Sequence, residues 1–197
     1  MKRFGMGALI ISLFSASLAQ AQSLIFPHVV DGGGWRTTVV LTNLTATAAS
    51  ASLVFHQDKA GGGTNPWNPP FLETSSTTGI NIPAAASVIL HSRGTAAALT
   101  QGWAELTAGD GIAGYLIFTN TVPGRPDQDA TSSAAAPASR VLMPFDNASA
   151  NVAAVAIVNP TFSTETIHVT FRLANGTVTV GDLPTLPPLG HAAFVLP

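Results

Sequence analysis

Five histidines, a glycine-rich stretch and two neighbouring aspartates are the residues of this chain whose types could do chemistry. His28, His56, His91, His168 and His191 are scattered along 197 residues, without H-E-x-x-H or any other zinc-ligand spacing. Solvated or structural histidines are the expectation, and His168 falls on the polar side of an alternating segment. No G-x-S-x-G elbow presents a serine nucleophile, so a hydrolase would need a site assembled from distant residues. Gly109-Asp110-Gly111-Ile112-Ala113-Gly114 matches G-x-G-x-x-G, a pattern that binds dinucleotides only where a helix follows and aims its N-terminus at the pyrophosphate. Tyr115 to Asn120 is strand-like instead, so these glycines are expected to serve a hairpin loop. Asp127 and Asp129 have the spacing that opens a calcium loop, but its central glycine and late glutamate are absent. They are expected to be solvated charges, with Arg125 paired to Asp127 or Asp146.

Ligand contact is better served by the tryptophans. Trp35 and Trp103 stand at the ends of apolar runs and are expected to cap a core. Trp67 lies in Asn65-Pro66-Trp67-Asn68-Pro69-Pro70, inside an inserted loop at 61–79, where an exposed ring could stack on a sugar. It is the one ligand-contact candidate; no catalytic residue and no cofactor are expected.

The elements that would position these residues are strands. Thr166-Ile167-His168-Val169-Thr170-Phe171-Arg172-Leu173 alternates polar and apolar without a break, which puts Ile167, Val169, Phe171 and Leu173 on one face. Ser50 to His56 alternates likewise. Further β-branched or apolar runs are Thr37–Asn43, Ser87–His91, Trp103–Thr107, Ile112–Asn120, Val152–Asn159, Thr177–Val180 and His191–Leu196. Turn signals separate them: Asp31-Gly32, Gly61-Gly62-Gly63, Asp110-Gly111, Asn159-Pro160 and Asn175-Gly176. No later stretch has a helical period. The fold class is all-β, an antiparallel sandwich.

The chain also matches itself. Thr37 to His56 aligns without gaps on Ala153 to Arg172, placing Asn43 on Asn159, Thr45 on Thr161, Leu53 on Val169 and Phe55 on Phe171. Phe26-Pro27 precedes the first stretch much as Met143-Pro144 precedes the second. Ile82-Pro83 leading to Ser87-Val88-Ile89-Leu90 matches Leu186-Pro187 leading to His191-Ala192-Ala193-Phe194. Two unequal repeats follow: residues 22–122, and a shortened unit at 140–197 joined by a linker or crossing segment at 123–139. A shortened unit either packs on the first to share one core or is completed by a partner chain. Packing is favoured, because the alternative leaves an open sheet edge.

Residues 1–21 are expected to be a secretory signal peptide. Lys2 and Arg3 lead an apolar run from Gly7 to Leu18, and Ala19-Gln20-Ala21 offers small residues for cleavage. The run is too short to span a bilayer, so the protein is expected to be secreted, periplasmic or extracellular, and not membrane-inserted. Six Lys/Arg and ten Asp/Glu then remain, a net charge of about −4 without a basic cluster, which argues against nucleic acid. Without cysteine there is no disulfide framework and no thiolate metal site, so an ordinary packed core must hold the fold.

Phe26-Pro27 with Asp31-Gly32-Gly33-Gly34-Trp35 and Thr37-Thr38, then Val122-Pro123-Gly124-Arg125-Pro126-Asp127, then Pro144-Phe145-Asp146-Asn147 and Val158-Asn159-Pro160 carry a resemblance. On these residues the chain resembles a group of uncharacterised exported proteins of environmental bacteria. The resemblance implies Ig-like β-sandwich repeats and carries over no activity and no catalytic residue. Members often extend beyond the point matching Pro197, so the short second repeat departs from the pattern. The expected role is therefore interaction, structural or adhesive, at a surface or in a matrix, with self-association or a protein partner at the second repeat. The alternative is a carbohydrate-binding module that contacts polysaccharide through Trp67.

Overall fold

The computed structural model describes residues 21–147 and 152–196, and every regular element among them is a β-strand. The expected signal peptide at 1–21 lies outside the described residues except for Ala21. In chain order the strands are β1 (Ala21–Asp31), β2 (Trp35–Asn43), β3 (Ala49–Asp58), β4 (Thr64–Trp67), β5 (Ile80–Ile82), β6 (Ser87–His91) and β7 (Thr100–Gly109). Then follow β8 (Ile112–Asn120), β9 (Gln128–Ser133), β10 (Ala154–Val158), β11 (His168–Arg172), β12 (Val178–Asp182) and β13 (His191–Val195).

Two antiparallel sheets pack face to face. One has the order β1-β7-β3-β4, with β5 also paired to β3; the other has the order β6-β2-β8-β9. Alternation along each strand sends one set of side chains between the sheets. Phe26, Val39, Leu41, Leu53, Phe55, Leu90, Leu106, Leu116 and Phe118 meet there as one buried cluster. Each such side chain contributes about 1.5–3 kcal/mol by leaving water, which is how a cysteine-free chain holds a sandwich. The strand order differs from the ABED and CFG sheets of a constant-type immunoglobulin domain. Here β1 lies in the sheet of β3 and β7, away from β2.

The expected hairpin at Gly102–Asn120 is instead a β-arch. β7 has both edges taken by β1 and β3, and β8 has both taken by β2 and β9, so neither can pair with the other. Gly111 makes the crossing between sheets with φ +81°, a conformation that suits glycine. Gly114 serves packing: a Cβ there would stand 2.7 Å from Cζ of Phe26. Two of the three pattern glycines, Gly111 and Gly114, thus have structural work, at an arch rather than a hairpin.

The segment at 123–139 is not a linker. Gln128–Ser133 pairs with β8 as the edge strand β9, and Ala135 then exchanges two backbone hydrogen bonds with Ile25 of the other sheet, at 2.8 and 3.0 Å. The segment thus passes from the β8 edge of one sheet to β1 of the other. The inserted loop at 61–79 belongs to the first unit. It forms β4, sends Leu72 N–H to the His91 carbonyl, and buries Phe71 in the core.

Beyond the first unit, among the described residues, β10 pairs only with β13, and β11 only with β12. The β10–β13 register runs from Ala154↔Val195 to Val158↔His191, and β2–β6 runs from Thr38↔His91 to Thr42↔Ser87. Under the sequence match of Thr38 to Ala154 and Ser87 to His191, these ladders coincide pair for pair. The Glu165↔Leu186 bridge likewise falls on the β3–β5 pair Ala49↔Ile82.

Candidate interaction site

Trp67 does not stand free on its loop. As the last residue of β4 it pairs with Phe55, and its half-buried ring meets the Phe55 ring edge-on at 6.2 Å against the core. Asp127 pairs with Arg36 at 3.3 Å rather than with Arg125, and Asp129 accepts the Thr119 hydroxyl at 2.8 Å. Separate partners pull the two carboxylates apart in role, and among the described residues no three His, Asp or Glu side chains are grouped to hold a metal ion. A shallow groove of about 470 Å³ on the outer face of β2, β6 and β8 is lined by Arg36, His91, Tyr115 and Asp129. Of its polar side chains, Arg36, His91 and Asp129 are already bonded to Asp127, Glu73 and Thr119.

Three of the scattered histidines do come together, at the junction of the two units. His191 Nδ1 lies 2.9 Å from Asp58 Oδ2, and its Nε2 lies 3.2 Å from His28 Nδ1. Gln101 donates to the same aspartate at 3.1 Å. His56 stacks on Trp103 with ring centroids 4.0 Å apart, and Trp103 donates its indole N–H to the Leu189 carbonyl at 2.9 Å. Burial lowers the pKa of His28 to about 4, the neighbouring His191 lowers it further within that shift, and Asp58 partly offsets them. Burial likewise lowers the pKa of His56. A neutral His28 can donate to His191 Nε2 while His191 donates to Asp58. The His191 side chain, at the centre of this chain of bonds, has 0% exposed surface. It latches β13 to β1 and β3. Spacing could not reveal it, because its members come from strands far apart in sequence.

The exposed chemistry lies on the other side of the second unit. Val39, Leu41, Leu53, Phe55 and Leu90 are 0–2% exposed in the first unit. Their matched residues Val155, Ile157, Val169, Phe171 and Phe194 are apolar too, yet only half-buried. In the first unit β8 takes the second edge of β2, and β7 fits between β1 and β3. Among the described residues nothing pairs with the corresponding edges of β10 and β11. The segment matched to β1 carries Val141 and Leu142 at 79% and 91% exposed.

No family model, curated protein or solved structure matches this chain. Among the described residues, the half-buried apolar side chains of β10, β11 and β13 carry the most unspent chemistry. An edge such as Ala154-Val155-Ala156-Ile157-Val158 has no charge, proline or glycine to discourage strand addition.

Proposed function

We propose that this chain is an exported, non-enzymatic β-sandwich protein that acts by interaction, as a surface or matrix-associated component, with its second unit as the contact surface. The two units are copies of one Ig-like sandwich unit. The observation that carries the reading is the half-buried row Val155, Ile157, Val169, Phe171 and Phe194 on sheets with unpaired edges. A sheet face of this kind is stable in water only at a cost, and strand addition removes that cost. Export is supported by the charged, apolar and small-residue sequence of 1–21. A polysaccharide reading through Trp67 draws less support, because the ring is engaged with Phe55.

Amide hydrogen exchange on the exported protein tests the reading, with sedimentation across a wide concentration range. β10 and β11 are expected to exchange much faster than β2 and β3 in the monomer, and to slow as the protein associates or meets its partner. Equal, slow exchange in all four strands of a strict monomer would mean that the surface is already closed, and the proposal would fail.

A further inference from the structure

We infer that the element completing the second unit is a β-arch of the β7–β8 kind, with one strand inserting beside β10 and the other beside β11. This rests on the interaction reading above and names the shape and chemistry of the partner.

The first unit shows what fits. There a single arch serves both sheets: β7 bonds to β1 and β3, and β8 bonds to β2. Because β10–β13 keeps the register of β2–β6, the free edge of β10 corresponds to the edge that β8 occupies. The edge of β11 corresponds to the edge of β3 that β7 occupies. One arch therefore matches both open edges, whereas a lone strand would close only one. The chain's own arch is not free to move: Trp103, Leu106 and Leu116 are 0–1% exposed in the first unit.

The walls of the slot define the occupant. Val155, Ile157, Val169, Phe171 and Phe194 are uncharged, so the inward positions of the incoming strands are apolar and alternate with polar ones. Its turn needs glycine. In the first unit a Cβ at Gly111 would stand 2.4 Å from Thr45 Cγ2, and Thr161 occupies the position of Thr45 with the same hydroxyl bond to its asparagine. One contact differs. Leu44 donates its N–H to the Gly111 carbonyl, and Pro160 in its place has no N–H, so the incoming turn is held by packing and by its strands.

The test uses the full protein and, as probe, a synthetic peptide of residues 100–120. Saturable binding is expected, with slowed amide exchange in β10 and β11 and no change in β2 or β3. Ile157→Lys and Val169→Lys are each expected to weaken binding by about tenfold or more, because each puts a charge into an apolar contact. Thr170→Lys, on the outer face of β11, is expected to bind as the unaltered protein does, which separates loss of the slot from loss of the fold. A peptide carrying Gly111→Val is expected to bind about tenfold more weakly or worse, because a β-branched residue resists positive φ. Failure of the peptide to bind a chain that still self-associates through β10 would overturn the arch and leave the interaction reading standing. Protection appearing in β2 or β3 would also overturn it, since the peptide would then be replacing the native arch. A strict monomer with slow exchange in β10 and β11 before any peptide is added would defeat both.

Discussion

Asn43 and Asn159 sit in the same turn, built twice, under very different roofs. Asn43 donates to the carbonyls of Thr47, Ile82 and Pro83, and its Oδ1 accepts from the backbone N–H and hydroxyl of Thr45. Asn159 donates to Ser163, Leu186 and Pro187 and accepts both bonds from Thr161. Even the backbone strain recurs, with Ala85 at φ +51° and Leu189 at φ +56°. Both asparagines are buried, at 1% and 2% exposed. Above Asn43 a closed core covers Val39 and Leu41 of β2, and above Asn159 their matches Val155 and Ile157 of β10 stay half-open. The turn is thus a local device that folds whether or not the layer above it is complete. Closure is a separate matter, and in the first unit the β7–β8 arch supplies it.

The largest way to break this comparison is a matched pair of truncations. Phe55 is 2% exposed, and Phe55→Ala is expected to cost about 3–5 kcal/mol in urea unfolding, the usual range for emptying a packed aromatic site. Phe171 is half-buried with one edge-on contact to Phe145, and Phe171→Ala is expected to cost about 1–2 kcal/mol, since most of its surface term was never gained. Equal costs would show that the second unit is closed as it stands. A Phe171→Ala cost that rises toward that of Phe55→Ala when a partner is added would show closure taking place.

Substitution of the two asparagines should, by contrast, give equal effects. Asn43→Ala and Asn159→Ala each strand several carbonyls and a backbone N–H, and about 2–3 kcal/mol of local stability is expected to go in each case. Native-state exchange at Thr45 and Thr161 reads this directly. A much smaller effect at Asn159 would mean that the second turn depends on the missing layer after all.

How much of this was legible in the sequence follows the physics of each element. β6 and β8 could be bounded because their apolar runs, Val88-Ile89-Leu90 and Tyr115-Leu116-Ile117-Phe118, give way to polar residues at the strand ends. The Asn-led turn and the proline-led strand stand out as a self-match because Asn43 and Asn159 bond to matching positions, Thr47 and Ser163 nearby and Pro83 and Pro187 farther on. β1 was hidden by Pro27, which sits in a register shift between Phe26 and Val29 and interrupts the alternation. β9 was hidden because Gln128-Asp129-Ala130-Thr131-Ser132-Ser133 is a polar edge strand with little to bury. Pairing was the least legible property: periodicity identifies the strands on either side of Gly111 but not the sheet each joins. The histidine junction and the fate of Trp67 are long-range facts of the same kind.

The junction gives a pH dependence that only the docked second unit should show. His28 has a pKa of about 4 when docked against an ordinary 6.5, so an undocked state binds the proton more readily. The contribution is complete above pH 6.5, declines as pH falls toward 4, and is absent below that window, a loss on the order of 3 kcal/mol. His56 from β3 shifts in the same direction, while Asp58 opposes the effect at His28. Exchange at Gly190 and His191, followed as pH is lowered, is expected to accelerate through this window, while β2 and β3 stay protected. His28→Phe keeps the ring contact with Phe118 and is expected to flatten the curve. An unchanged curve would place the pH-sensitive group elsewhere.

The smallest effects sharpen the comparison by failing to distinguish the units. Arg36–Asp127 braces the first unit with side chains 50% and 40% exposed, and His168–Asp182 spans β11–β12 with side chains 75% and 59% exposed. Exposed pairs of this kind contribute about 0–1 kcal/mol, because water and salt screen them and two long side chains must be ordered to form them. Asp127→Asn and Asp182→Asn are therefore both expected to shift urea midpoints only slightly, and by similar amounts. Were Asp182→Asn to destabilise the chain by several kcal/mol, the second unit would be held by its rim. The burial pattern argues otherwise: what separates the units is the apolar layer between their sheets, and the rim charges are indifferent to it.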